Sequence, residues 1–154
     1  MNRRKFIYNS SLASLSVIGL ESCGLINNDV KISILHTNDL HSQIEPFPPN
    51  HDKFPDKGGF ARRGEIFKSL IKTNPNTLIF DAGDIFQGTP YFNLFGGELE
   101  FRLMSEMGYD AVTIGNHDFD NGIDGLASQM HHANFPFISS NYDFNNTILE
   151  DKVV

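Results

Sequence analysis

The sequence predicts an α/β fold: a largely parallel sheet covered by helices, in a layered sandwich. Three observations predict it. Short apolar runs alternate with stretches whose apolar residues recur at helical spacing. Each of the first three runs stops at a cluster of polar residues, as expected at the carboxyl edge of an open parallel sheet. No repeat, low-complexity segment or interdomain linker interrupts residues 31–154.

In chain order, Lys31 to Asn38 ("KISILHTN") reads as a short buried strand with Ile32, Ile34 and Leu35 as its apolar positions. The Pro-rich stretch from Ser42 to Gly59 is long for a structureless loop, and such loops are usually functional or mobile. From Gly59 to Lys72, Phe60, Ile66, Phe67, Leu70 and Ile71 mark an amphipathic helix. Thr77 to Phe80 is a second strand. Glu98 to Met107 is a second helix, stopped by Gly108. Ala111 to Ile114 is the third strand, Ile123 to Ala133 the third helix and Phe137 to Ser139 the fourth strand. The last eight residues, "TILEDKVV", read as the start of a further strand, so the chain is expected to be the front of a longer protein.

Residues 1–23 are set apart from the fold. A basic head (Arg3, Arg4, Lys5), a weakly apolar Ser-rich run to Leu20 and then small residues make the layout of an export signal, too short and polar to span a membrane stably. Arg3-Arg4 followed by Phe6 resembles the twin-arginine type, which implies export of a folded protein to the periplasm or cell envelope. Leu20-Glu21-Ser22-Cys23 resembles a bacterial lipobox, with Glu21 unusual inside it. Cys23 is then either acylated, anchoring the chain to a membrane, or cut away with the signal. As the only cysteine it forms no intramolecular disulfide. Residues 24–30 read as a short linker and 31–154 as the domain.

The net charge is −7, and about −9 once Arg3, Arg4, Lys5 and Glu21 leave with the signal. An acidic chain is poorly suited to coating nucleic acid, which rewards clustered Lys and Arg. Its carboxylates can instead serve bound cations. Fourteen phenylalanines and no tryptophan point to a Phe-rich core.

The polar clusters at the strand ends are Asn38-Asp39-Leu40-His41, Asp81-Ala82-Gly83-Asp84 and Asn116-His117-Asp118. They should converge on one sheet edge. Asp39 and His41, two apart, would point the same way in an extended chain and grip one ion. Asp84 can bridge two ions with its two oxygens, and Asn116 offers a neutral carbonyl oxygen to the second. Mixed oxygen and imidazole donors suit two divalent ions such as zinc or manganese, which together activate a water and clamp a phosphoryl group. Gly83 and Gly115 allow tight turns just before the ligands. Taken singly, Asp-x-His reads better as a turn cap and Gly-Asp is a weak signal; three clusters in order favour metal chemistry.

"ILHTNDLHSQIEPFP", "GGFARR", "DAGDIFQGTP" and "VTIGNHDFDNG" resemble the amino-terminal part of the calcineurin-like metallophosphoesterases, most closely the 5′-nucleotidase branch, over most of residues 32–141. The resemblance implies that Asp39, His41, Asp84 and Asn116 are metal ligands, with Asp84 bridging. It implies that His117 stabilises the phosphoryl transition state and that Asp120 orients its imidazole. Asp118 stands where relatives carry Glu or Asp and receives no catalytic role. The implied substrate is a nucleotide or another small phosphoester. The family's remaining ligands are histidines on later strands, including a Gly-His-x-His motif, and a carboxy-terminal domain holds the nucleoside. These would be supplied in cis or by another chain. Two alternatives stay open: an exported sulfur-oxidation hydrolase of the thiosulfohydrolase type, and a non-catalytic exported module of the same fold.

The other singled-out residues carry plainer expectations. His36 reads as a satisfied strand histidine, His51 as solvated, and His131 and His132 as complements to a helix dipole. Arg62 and Arg63 face solvent or the phosphate side. Phe86, Tyr91, Phe92 and Phe95 pack under a loop or line a base pocket.

Overall fold

A computed structural model of the chain describes residues 29–154; the expected export signal, Cys23 and most of the expected linker lie outside the described residues. Residues 31–154 form one compact unit. Its elements are β1 (Ser33–Thr37), α1 (Phe60–Thr73), β2 (Thr77–Asp81), α2 (Pro90–Phe95), α3 (Glu98–Met107), β3 (Ala111–Val112) and α4 (Gly122–Gln129). Two short 3-10 turns, His117–Phe119 and Met130–His132, flank α4.

The sheet is parallel throughout, in the order β1-β2-β3, with Leu35 opposite Ile79 and Asp81 opposite Val112. Phe137 continues it as a single parallel bridge beside Val112, and Val153 bridges in turn to Phe137. The fourth strand is therefore one residue pair wide. The expected strand at "TILEDKVV" reduces to Val153, because residues 147–152 turn instead.

One face of the sheet is buried. Ile79, Val112 and Phe137 join Phe67, Phe101, Met104 and Phe135 in the core, a Phe-rich cluster as composition suggests. Phe101 sits at its centre, with ring centroids 4.8 Å from Phe86 and 5.2 Å from Phe137. The opposite face is open among the described residues: Ile34 is 64% exposed and its register partner Leu78 is 39% exposed. The reading of β1 as a buried strand is thus corrected. An apolar run reports that a face wants cover, and not whether these residues supply it. His36 lies on the same open face and is exposed, contrary to its expected role.

In α1, Phe60, Gly64 and Phe67 are buried at i, i+4, i+7 spacing, whereas Ile66, Leu70 and Ile71 stay exposed. Helix α2 was not expected. Pro90 at its first position and Gly96 in the left-handed cap (φ 63°) punctuate a helix too short for a periodic signal. α3 and its Gly108 cap match expectation. The third helix ends at Gln129, four residues early, and tightens into a 3-10 turn. The Pro-rich loop is held by Phe47 N–H donating to Lys57 O at 2.7 Å. His51, expected to be solvated, packs its ring 4.5 Å from Phe47, and its Nδ1 accepts the Phe54 N–H at 3.0 Å. His131 Nδ1 meets the Ser128 carbonyl at 2.8 Å, the helix-end role expected of it.

Candidate metal centre

The loops after β1 and β2 zip together beyond the sheet. Ala82 N–H donates to Thr37 O, Asp39 to Gly83 O, His41 to Asp84 O and Ser42 to Ile85 O, all at 2.8–3.0 Å. Asp39, His41 and Asp84 all adopt positive φ, at 52°, 44° and 58°. The extended-chain reason for pairing Asp39 with His41 is therefore wrong, although the pairing itself holds. Left-handed turns, which Asp and His tolerate better than most residues, swing both side chains toward Asp84. Such strain persists where surrounding structure over-determines it, commonly at functional sites.

One donor atom from each of Asp39, His41 and Asp84 lies within 4.8 Å of the others. His41 Nε2 is 3.7 Å from Asp39 Oδ1. His41 Nδ1 is 3.3 Å from the Phe86 carbonyl, which can only accept a proton, so Nδ1 carries the hydrogen and Nε2 keeps its lone pair for an ion. The donor set is one imidazole and two carboxylates, which fits a borderline divalent metal.

The third loop closes the site. Asn116 lines the same cleft of about 330 Å³ as Asp39 and Asp84. His117 N–H donates to Asp84 Oδ1 at 2.9 Å, and its ring stands 5.3 Å from that of His41. His117 Nδ1 is 3.2 Å from Asp120 Oδ2; this bond and the charges of Asp120, Asp84 and Asp118 push the imidazole pKa up. All six expected site residues thus gather at one sheet edge. Gly115 is needed for closeness: a Cβ there would sit 2.2 Å from the Asp84 backbone nitrogen.

Asp118, expected to have no catalytic role, has a structural one: it builds the edge. It is 2% exposed, and its carboxylate accepts four backbone N–H groups. Ile85 and Phe86 donate to Oδ1 at 2.9 and 3.0 Å, and Asp84 and Gly115 to Oδ2 at 3.1 and 2.8 Å. One carboxylate thereby clamps the Asp84 loop to the Gly115 loop.

Asp81 plays a lesser part of the same kind. Its Oδ1 accepts Gly83 N–H at 2.9 Å, shaping the turn before Asp84, and Thr37 Oγ1 donates to Oδ2 at 2.5 Å. Burial pushes its carboxyl up to about 7, with Asp118 adding to the rise and Arg63 opposing it. Arg63 is thus drawn inward beside Asp81 and Tyr109, neither solvated nor lining the cleft. A carboxyl whose folded pKa exceeds its unfolded value near 3.8 binds its proton more tightly in the folded state. Its stabilising contribution is full below that lower value and is lost as pH rises to 7. Metal-free protein should therefore lose thermal stability from pH 4 to 7, and Asp81→Asn should flatten that decline in melts across the range. An equally steep decline in the variant would refute the assignment.

Phe86 and Phe92 are buried and pack on one another at 5.2 Å, as the packing alternative held. Tyr91 turns to Glu45, its hydroxyl 3.0 Å from Oε1.

Comparison with known proteins agrees with this geometry. A model of the calcineurin-like phosphoesterase family matches residues 32–154. Snake venom 5′-nucleotidase from Gloydius brevicauda is 41% identical over 115 residues, covering 72% of this chain and 20% of that protein. The 5′-nucleotidase of Bos taurus is 38% identical over 116 residues, with the same coverage. Among solved structures, Haemophilus influenzae NAD nucleotidase aligns with a TM-score of 0.71 at 36% identity over 79% of this chain and 23% of its own. The 5′-nucleotidase precursor of Thermus thermophilus aligns at 0.71 and 35%, over 79% and 24%. The chain thus spans about a fifth of the length of the curated relatives it matches. With a family match over residues 32–154 and metal-type donors gathered at the ends of β1 and β2, the chain belongs to the calcineurin-like phosphoesterases.

Proposed function

We propose that the chain supplies the amino-terminal ligands and the acid-base pair of an exported, two-metal phosphoester hydrolase of the 5′-nucleotidase kind. The convergence of Asp39, His41 and Asp84 carries this reading. In it, Asp39, His41 and Asp84 would hold one ion, and Asp84 and Asn116 would hold a second. Zinc, manganese or similar ions, when bound, supply Lewis acidity toward phosphate oxygens and lower the pKa of water.

The remaining steps belong to the protein. Asp120 takes the Nδ1 proton of His117 as a hydrogen bond, which leaves Nε2 to donate to a phosphate oxygen or to the departing alcohol. In the metal-free chain the Asp120 hydrogen bond pushes the His117 imidazole pKa up. The substrate is a nucleotide or another small phosphoester, and nucleic acid is no partner. The rest of the catalytic domain comes in cis or from another chain. Export to the cell envelope, with anchoring where Cys23 is acylated, completes the proposal; among the described residues no helix is long and apolar enough to cross a membrane.

Phosphate release from adenosine 5′-monophosphate by the whole protein tests the reading: it should require Mn²⁺ or Zn²⁺ and stop with EDTA. His117→Ala should lower turnover by roughly 10²–10⁴-fold with metal content near that of the parent. Release that survives EDTA would refute the metal mechanism. Loss of metal in His117→Ala would make that residue a ligand and not an acid.

A further inference from the structure

Glu100 sits in the first turn of α3, outside every strand-end loop, and is fully buried. Both of its carboxyl oxygens lack a hydrogen bond of good geometry. Buried carboxyls without partners are costly, and each needs an explanation. The hydroxyl that faces it belongs to Ser42, itself buried and equally without a well-formed bond. Ser42 follows the ligand His41 directly and carries a left-handed φ of 51°. Its backbone is pinned on both sides: its N–H donates to Ile85 O at 2.9 Å, and its carbonyl accepts Thr89 Oγ1 at 2.8 Å. The same end of α3 touches the other support of His41. Gly97 lies so close to the Phe86 ring that a Cβ would come within 2.2 Å of it, and the Phe86 carbonyl fixes the His41 imidazole.

From these contacts we infer that Glu100 is a positioning residue for His41: its buried carboxyl faces the Ser42 hydroxyl and holds the turn that aims Nε2 at the metal. The inference rests on the metal-site reading proposed above. A carboxylate near a helix N-terminus can also simply stabilise the helix, and that role would ignore Ser42. The partnership with Ser42 is what separates the two.

The test is Co²⁺ titration of the chain followed by its visible absorption, with thermal melts of the metal-free proteins alongside. Glu100→Leu and Ser42→Ala should each weaken Co²⁺ binding about tenfold or more, as loss of a ligand's support does. The double substitution should be no worse than either single one. Glu100→Gln, which keeps shape and hydrogen-bonding capacity, should restore binding close to that of the parent. Ser42→Ala binding Co²⁺ as the parent does would overturn the inference, as would effects that simply multiply in the double variant. If Glu100→Leu does not fold, Ser42→Ala and Glu100→Gln decide alone. A parent that binds no Co²⁺, either as this chain or within the whole protein, overturns the metal-site reading and this inference with it. A parent that binds while every variant binds equally overturns only this inference.

Discussion

Asp84→Ala is expected to strip the protein of metal entirely, with metal content by mass spectrometry falling to less than about a tenth of the parent's. Three features make this the most sensitive position. Asp84 donates to the cluster with Asp39 and His41, and it lines the cleft beside Asn116, so both proposed ions depend on it. Its carboxylate is already aimed, because the His117 N–H holds Oδ1 at 2.9 Å. Its backbone, at φ 58°, is fixed by the ladder to His41 and by the grip of Asp118. The side chain therefore pays little ordering entropy on binding, and no neighbour can replace it. The metal-free variant should melt close to the parent, since the one donor it orphans, the His117 N–H, is only half-buried and can turn to water. Retention of one ion would show that Asp84 does not bridge.

Asp118→Ala carries the largest expected effect on stability. The substitution orphans the N–H groups of Asp84, Ile85, Phe86 and Gly115, all of which now bond to one carboxylate. Leaving buried donors without a partner, and losing a charged acceptor, costs on the order of 3–5 kcal/mol. Asp118→Asn should do only somewhat better, because its amide group would face two of those donors in place of an oxygen. Both variants should show lowered midpoints in denaturant and weakened metal binding. A change below about 1 kcal/mol would mean that the two loops hold together without the clamp.

Much of the site was legible because its residues follow strands directly. A parallel sheet collects what comes after each strand at one edge, so Asp39, His41, Asp84, Asn116 and His117 could be placed together from order alone, while Asp120 came from the family resemblance. The local path was not legible. Nothing in "NDLHS" announces three left-handed residues, since that conformation comes from pairing with the Gly83–Ile85 segment 44 positions away, as at Asp39 with Gly83. Asp118 was opaque for a related reason. Its four partners are backbone groups, which look the same at every position in a sequence. Glu100 reads as an ordinary acid in the first turn of a helix, and only burial against Ser42 sets it apart. The exposure of Ile34 and Leu78 was equally hidden, because an apolar strand has the same pattern whether or not its second face is covered.

The central claim is that β1 and β2 end in a metal site with one imidazole and otherwise oxygen donors. X-ray absorption spectroscopy on the Zn²⁺-loaded chain, beside its His41→Ala variant, tests it most directly. The expected result is a first shell of oxygen and nitrogen with the multiple scattering of a single imidazole, absent from the variant. Imidazole scattering that persists in His41→Ala would place the ion on another histidine. Failure to retain zinc by this chain and by the whole protein alike would leave the strand ends as turns.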